Sequence, residues 1–203
     1  MDYLTHYYAQ GSIPLRSLSA LPDAEALLLM ESLYEDNLVA ERFKEPVEYL
    51  QNRKQVELWV RNEFIAKGGQ PQEDYPLYAV LGYANWMEQN LASLEIERIQ
   101  IPLSIFTEKD ISFTYPDSMV TYWLGMDKQA AYYEPDYHGQ VFTLSGIQRL
   151  MDKFSAIQQQ GITVLAEGVG PYIDYIEAQI WNPKPLMAYM AQTADEKKHS
   201  SCI

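Results

Sequence analysis

Cysteine is nearly absent from this chain. The one cysteine, Cys202, is next to last, so no intrachain disulfide can form and no cysteine-based zinc site can be built. Long apolar runs are missing as well: no stretch approaches the ~18 residues that a membrane span needs. The first residues, MDYLTHYYAQG, contain neither a basic segment nor an apolar one of signal-peptide type. The expected compartment is the cytoplasm, with no membrane contact. Basic charge is scarce: 15 Lys and Arg stand against 28 Asp and Glu, for a formal charge of −13. The cations are scattered rather than clustered, so general nucleic-acid binding by counterion release is not expected. Histidine is limited to His6, His138 and His199. A folded metal site would have to combine His6, His138 and carboxylates, and no metal is expected. The GxGxxG and GxxxxGK phosphate loops, the HExxH zinc motif and the GxSxG elbow are all missing, which removes the standard nucleotide and hydrolase signatures.

What is present points to a packed domain. An apolar fraction of 47% and 16 tyrosines argue against disorder. The length of 203 residues suits one core that buries about 70% of the extended surface. No internal repeat is visible. The expected organisation is a single domain over residues 1–190, with 191–203 as a frayed tail that has no apolar anchors before its last residue.

The chain is organised around Ile99 to Tyr122. Ile99, Ile101 and Leu103 share one parity, as do Ile111, Phe113 and Tyr115, with Ser112 and Thr114 opposite them. Period 2 in β-branched and aromatic residues predicts two strands, and Thr107 to Asp110 has the length of a hairpin turn between them. After Tyr115, Pro116 breaks the ladder, and Asp117 or Ser118 can cap a helix that Gly125 would close. Further strands are expected at Tyr3–Tyr8, Leu77–Leu81 and Ile173–Trp181. In the last of these Ile176, Ala178 and Ile180 alternate with Tyr175, Glu177, Gln179 and Trp181. Helices are expected from about Pro22, with Leu27, Met30 and Tyr34 at helical spacing, and from Pro46, with Tyr49, Val56, Val60 and Phe64 as its stripe and Gly68 at its end. A short one follows Asn85, and another follows Ser145 with Ile147, Leu150, Met151, Phe154 and Ile157 as its stripe, ended by Gly161. Residues 161–171 read as irregular. The fold class is α+β: a mixed or antiparallel sheet packed by three or more helices.

Polar residues where a sheet protein ordinarily places apolar ones mark the candidate site. His6 lies mid-strand, Arg53 shares the stripe of its helix, and Glu177 and Gln179 occupy one face of the last strand. A core-facing arginine must snorkel, pair or reach a cavity. In the plain reading Glu177 and Gln179 face water, Arg53 pairs with an acid and His6 is a hydrogen-bonded imidazole. In the functional reading a cleft over the sheet holds Glu177 as the catalytic carboxylate with His6 beside it. Arg53 then supplies a donor, and Tyr175, Trp181 and Tyr115 supply aromatic walls for a polar, partly aromatic ligand. Asp117, Gln179 and His138, the last in the tyrosine-rich loop AAYYEPDYHGQ, complete the ligand-binding set.

The segments LTHYY, RSLS, YLQNR, IPLSIF, SFTYPDS, YHGQVFTLS and YIEAQIW resemble a family of uncharacterised bacterial proteins of about this length. That resemblance implies a single-domain cytoplasmic protein and no reaction. LTHYY and YIEAQIW are also similar to ADP-ribosyltransferase-like folds. There an early strand carries a histidine or arginine for the dinucleotide and a late strand carries a glutamate that stabilises an oxocarbenium ion. Here those residues would be His6 and Glu177, with NAD as cofactor, although Tyr175 stands where the double-acid form has a second acid or amide. Three function classes follow: binding of NAD or a nucleotide-like molecule with ADP-ribosyl transfer, a non-catalytic partner-binding protein using Tyr132, Tyr133 and Tyr137, and a ribosyl or nucleotide hydrolase acting through Asp117 and Glu177.

Overall fold

Segments of alternating apolar and polar residues, with the apolar run LYAVL among them, form the five strands of one sheet. The computed structural model describes residues 2–35, 43–90, 95–130, 133–147, 151 and 175–200. Strands β1 (Tyr3–Ala9), β2 (Leu77–Leu81), β3 (Ile96–Pro102), β4 (Ile111–Thr114) and β5 (Glu177–Ile180) form a sheet in the order β3-β1-β2-β5-β4. Every pairing in it is antiparallel. Helices α1 (Asp23–Glu35), α2 (Pro46–Ala66), α3 (Asn85–Asn90), α4 (Ser118–Met126) and α5 (Lys184–Ser200) complete an α+β fold. Among the described residues no helix is long and apolar enough to cross a membrane.

The hairpin expected around Thr107 to Asp110 does not form. β3 and β4 occupy opposite edges of the sheet, four strand spacings apart, or roughly 19 Å at ~4.8 Å each. Leu103, Ile105 and Phe106, which lie between them, pack against the apolar sheet face as the chain crosses it. Packing those side chains on the core, Phe106 buried and Leu103 and Ile105 partly so, outweighs a hairpin, and Thr107 to Asp110 instead makes a closed bend in which Asp110 Oδ2 accepts from Thr107 N at 2.8 Å and Thr107 Oγ1 at 2.6 Å.

The two faces of the sheet differ in chemistry. The register pairs Leu4 with Leu81, Ala79 with Ala178 and Phe113 with Ala178. Those residues, with Ile101, Ile111 and Ile180, build the main core together with Leu186 and Met190 of α5 and Ile147. The other face carries Thr5, Tyr78, Val80, Glu177, Gln179, Ser112 and Thr114, as the pairs Thr5 with Val80, Tyr78 with Gln179 and Ser112 with Gln179 require. It does not face water: α2 lies across it, placing Val56, Val60 and Phe64 against Trp181 and Val141. Ala26 and Met30 of α1 pack with Phe43 and with Leu50 of α2. The core side of α1 thus includes Ala26, and Tyr34 is left 43% exposed.

Three further expectations meet the structure at element ends. Residues 144–147 and 151 are helical, and the remainder of the helix from Ser145, residues 161–171, the first two residues of the strand expected at Ile173–Trp181, and Tyr132 lie outside the described residues. α5 continues to Ser200, across residues read as a frayed tail. α4 runs past Gly125 to Met126 because that glycine serves packing rather than termination. A Cβ on Gly125 would lie 2.4 Å from Gly139 Cα, and Gly139 itself holds a positive φ of 72°. We expect Gly125→Ala to destabilise the protein by about 1–3 kcal/mol, the usual cost of overpacking. A urea titration giving an unchanged midpoint would show that the two backbones are free to separate.

Candidate functional site

Gln179 stands at the centre of the polar face, fully buried on β5. The indole of Trp181, a donor only, gives its Nε1 hydrogen to Ser112 Oγ at 2.8 Å, and Ser112 gives its own to Gln179 Oε1 at 2.9 Å. The Gln179 amide then donates to Thr114 Oγ1 at 2.8 Å and to Glu177 Oε2 at 3.0 Å. The chain of donors thus runs one way and ends on a carboxylate. Glu177 Oε2 also accepts from the backbone N–H of Ser118 at 2.9 Å, in the first turn of α4, where the helix dipole favours negative charge. Asp117 caps the same helix, accepting from Val120 N at 2.7 Å.

Two carboxylates therefore share one helix end. Burial raises the Glu177 carboxyl, the charge of Asp117 raises it further, and hydrogen bonds from Ser118 and Gln179 pull back, for a net value pushed up to about 7. Ser118 lowers the pKa of both Tyr78 and Glu177, so the site extends onto a second cluster. There the Tyr78 hydroxyl donates to Glu57 Oε1 at 2.9 Å. Arg53 Nε lies 3.0 Å from the same oxygen and donates to Ser19 Oγ at 3.0 Å, while its Nη1 donates to Tyr49 OH at 3.3 Å. The guanidinium sits 4.5 Å over the Tyr78 ring. Burial lowers its pKa, but Tyr78, Tyr49 and Glu57 together reverse that and the net shift is upward. Glu57 is fully buried and raised by desolvation, with Arg53 opposing.

The remaining residues of the expected site divide around the sheet. Arg53, Asp117, Gln179 and Glu177 come together on the polar face. Trp181 shares that face but offers no wall to a ligand: it is fully buried and stacked on Phe64, with ring centroids 6.4 Å apart. Tyr175 is half-buried just before β5. The pairing of His6 and Glu177 in one cleft is overturned. Thr5, Val80 and Glu177 form one cross-strand row, so His6, the next residue of β1, points to the opposite face. There its ring joins backbone segments, with Nδ1 2.8 Å from the Tyr78 carbonyl and Nε2 accepting from Leu15 N at 3.0 Å. Burial pushes the imidazole below its usual range, with the Tyr78 carbonyl opposing, so the ring that accepts from Leu15 is neutral. Tyr115 belongs to the main core and packs edge-on against Tyr137, centroids 4.9 Å apart. His138 lies beyond it, its Nδ1 accepting from Glu134 N at 2.9 Å. Among the described residues no group of three or more His, Cys, Asp or Glu could hold a metal ion.

Sequence reasoning missed Glu57, Tyr78 and Ser118 as members of the site. Glu57 follows Arg53 by four residues, which is the spacing of a helical ion pair and was legible. Tyr78 and Ser118 carried no such signal, because their roles depend on which strands become neighbours. No family model, no curated protein and no solved structure matches the chain.

Two outcomes test this geometry. Gln179→Leu should cost about 2–4 kcal/mol, since it leaves Ser112 without its acceptor and removes a donor from Thr114 and Glu177 in a buried setting. A loss below about 0.5 kcal/mol, the scale of an ordinary surface change, would mean that the chain contributes little. The second outcome concerns pH. Glu177 holds its proton up to about 7 when folded and to about 4.3 when unfolded. Between those values the folded state binds more protons, so this group makes stability decline as pH rises through the window and level off above it. Glu177→Gln should remove that decline and be the more stable variant above neutrality. Parallel stability curves for the two proteins from acid to neutral pH would refute the assignment.

Proposed function

We propose that the protein binds a small polar, partly aromatic ligand of the nucleotide class at the start of α4, with NAD as the candidate and Glu177 as the functional carboxylate. The observation that carries this reading is a carboxyl group at a helix N-terminus beside a second carboxylate, tuned to about 7. Such a group can accept and return a proton at neutral pH, and when ionised it can stabilise a developing oxocarbenium ion. ADP-ribosyl transfer or ribosyl hydrolysis are the reactions that use a carboxylate in this way. The donor sharing the face of Glu177 is Arg53, which takes the part that the early-strand similarity gave to His6. The similarity to uncharacterised bacterial proteins supplies no reaction and is itself part of this proposal.

A partner-binding role is the alternative, and one observation favours it. Trp59, Tyr122 and Trp123 form a run of ring contacts across α2 and α4, with centroids 5.2 and 4.9 Å apart. Trp123 is 43% and Met126 70% exposed, and these residue types are enriched in binding hot spots. Tyr137 contributes nothing to such a surface, because it is 3% exposed.

Thermal shift with NAD, nucleosides and nucleotides separates the two. A ligand at 100 times its dissociation constant adds about 2.7 kcal/mol to stability, and we expect NAD or a nucleoside to produce a shift of that order. Glu177→Gln should keep the fold and abolish turnover of any bound NAD, since the swap is isosteric and removes only the charge. No shift across the whole set would leave the partner-binding reading in its place.

A further inference from the structure

On the side of α2 away from the sheet, a groove of about 470 Å³ runs between the helix and residues 74–75 of the loop before β2. Its helical wall is Lys54, Gln55, Leu58 and Arg61, and the opposite wall is Asp74 and Tyr75. The volume falls in the ordinary range for a small-molecule site. Lys54 and Arg61, seven residues apart, stand roughly 10 Å from one another along the helix axis, with Leu58 between them. The groove is thus cationic at both ends and apolar in the middle.

The placement of charge makes this arrangement unusual in a chain of formal charge −13. The Lys54 and Arg61 side chains are only 26% and 27% exposed, whereas their carboxylate partners, Asp23 and Asp74, are 71% and 92% exposed. The cations are therefore more enclosed than their partners: Asp74 lines the groove but is largely in solvent, and Asp23, which accepts from Lys54 Nζ at 2.5 Å, is likewise exposed. Arg61 Nη2 lies 4.0 Å from Asp74 Oδ1, a separation at which an exposed pair contributes little. Its guanidinium is held toward the groove by a bond of 3.4 Å from Nε to the Glu73 carbonyl. Lys54 Nζ is 5.6 Å from the centroid of the Tyr75 ring. An anion entering the groove would meet partly desolvated cations without having to displace a buried partner, and Leu58, 58% exposed, would cover an attached apolar body.

We propose that this groove binds a small anion that carries an aromatic body, such as an aryl phosphate or aryl carboxylate, with Arg61 and Lys54 as its charged contacts. The site is separate from that of Glu177, which lies on the sheet side of α2. Isothermal titration of the intact chain with phenyl phosphate tests it, with inorganic phosphate and phenol as half-probes. We expect phenyl phosphate to bind in the millimolar range or tighter, and Arg61→Gln to weaken it about tenfold, the loss of one charge-assisted hydrogen bond. Each half-probe should bind more weakly than the whole, and Glu177→Gln should bind phenyl phosphate as the unaltered chain does. Lys54→Gln provides the same readout should Arg61→Gln unfold. The proposal fails if phenyl phosphate gives no heat in that range, if neither charge substitution weakens it, or if inorganic phosphate binds as tightly. Loss of binding in Glu177→Gln alone would transfer the ligand to the sheet-side site and overturn the groove.

Discussion

The sheet is buried on both faces because Gln179 satisfies the polar side chains that one face presents. A glutamine with no exposed surface can be stable only if both amide hydrogens and the carbonyl find partners, and here Ser112, Thr114 and Glu177 supply them. The indole of Trp181, which can only donate, sets the direction of the whole chain. Once the face is satisfied internally, α2 can lie across it and place Val56, Val60 and Phe64 against Trp181. The covering helix therefore depends on a hydrogen-bond chain beneath it as much as on its own apolar stripe.

The same burial shapes the electrostatics. Water that would screen Glu177, Asp117, Glu57 and Arg53 from one another is largely displaced, so each group feels its neighbours strongly. Arg53 and Glu57 answer this by pairing, with Tyr78 and Ser19 taking part. Glu177 has no cation at hydrogen-bond distance among the bonds that position it. Neutral donors and a helix end hold it instead, and its carboxyl consequently keeps a proton to about 7. Two carboxylates of the same layer thus sit in different states of compensation, which is the condition under which one becomes a proton carrier and the other a structural anion.

The routing of the chain decides which residues can meet. β1 lies between β3 and β2, and its alternation places Leu4 and His6 with the main core and Thr5 with the polar layer. His6 fills the gap where β1 leaves β2, joining Tyr78 and Leu15 through its two ring nitrogens. Its polarity serves the backbone rather than a ligand.

Local pattern determined a good deal by itself. Period 2 in YLTHYYA and EAQI, the short apolar run LYAVL, Pro46 at the head of α2 and Asp117 or Ser118 as the cap of α4 are all properties of neighbouring residues, and each led to the element that formed. The split of Glu177 and Gln179 from Ala178 and Ile180 was equally legible, since successive side chains of a strand must point to opposite faces. The need of Arg53 for a partner followed from its helical face. Tertiary structure alone decided that Ile99 and Ile111 belong to opposite edges rather than to a hairpin, because the burial of Phe106 and the packing of Leu103 and Ile105 against the core outweighed the short turn that sequence suggested. It also decided that the polar face of β5 is covered and that His6 and Glu177 are parted. Strand order and register are set by the balance of burial over the whole sheet, and no window of the sequence contains that balance.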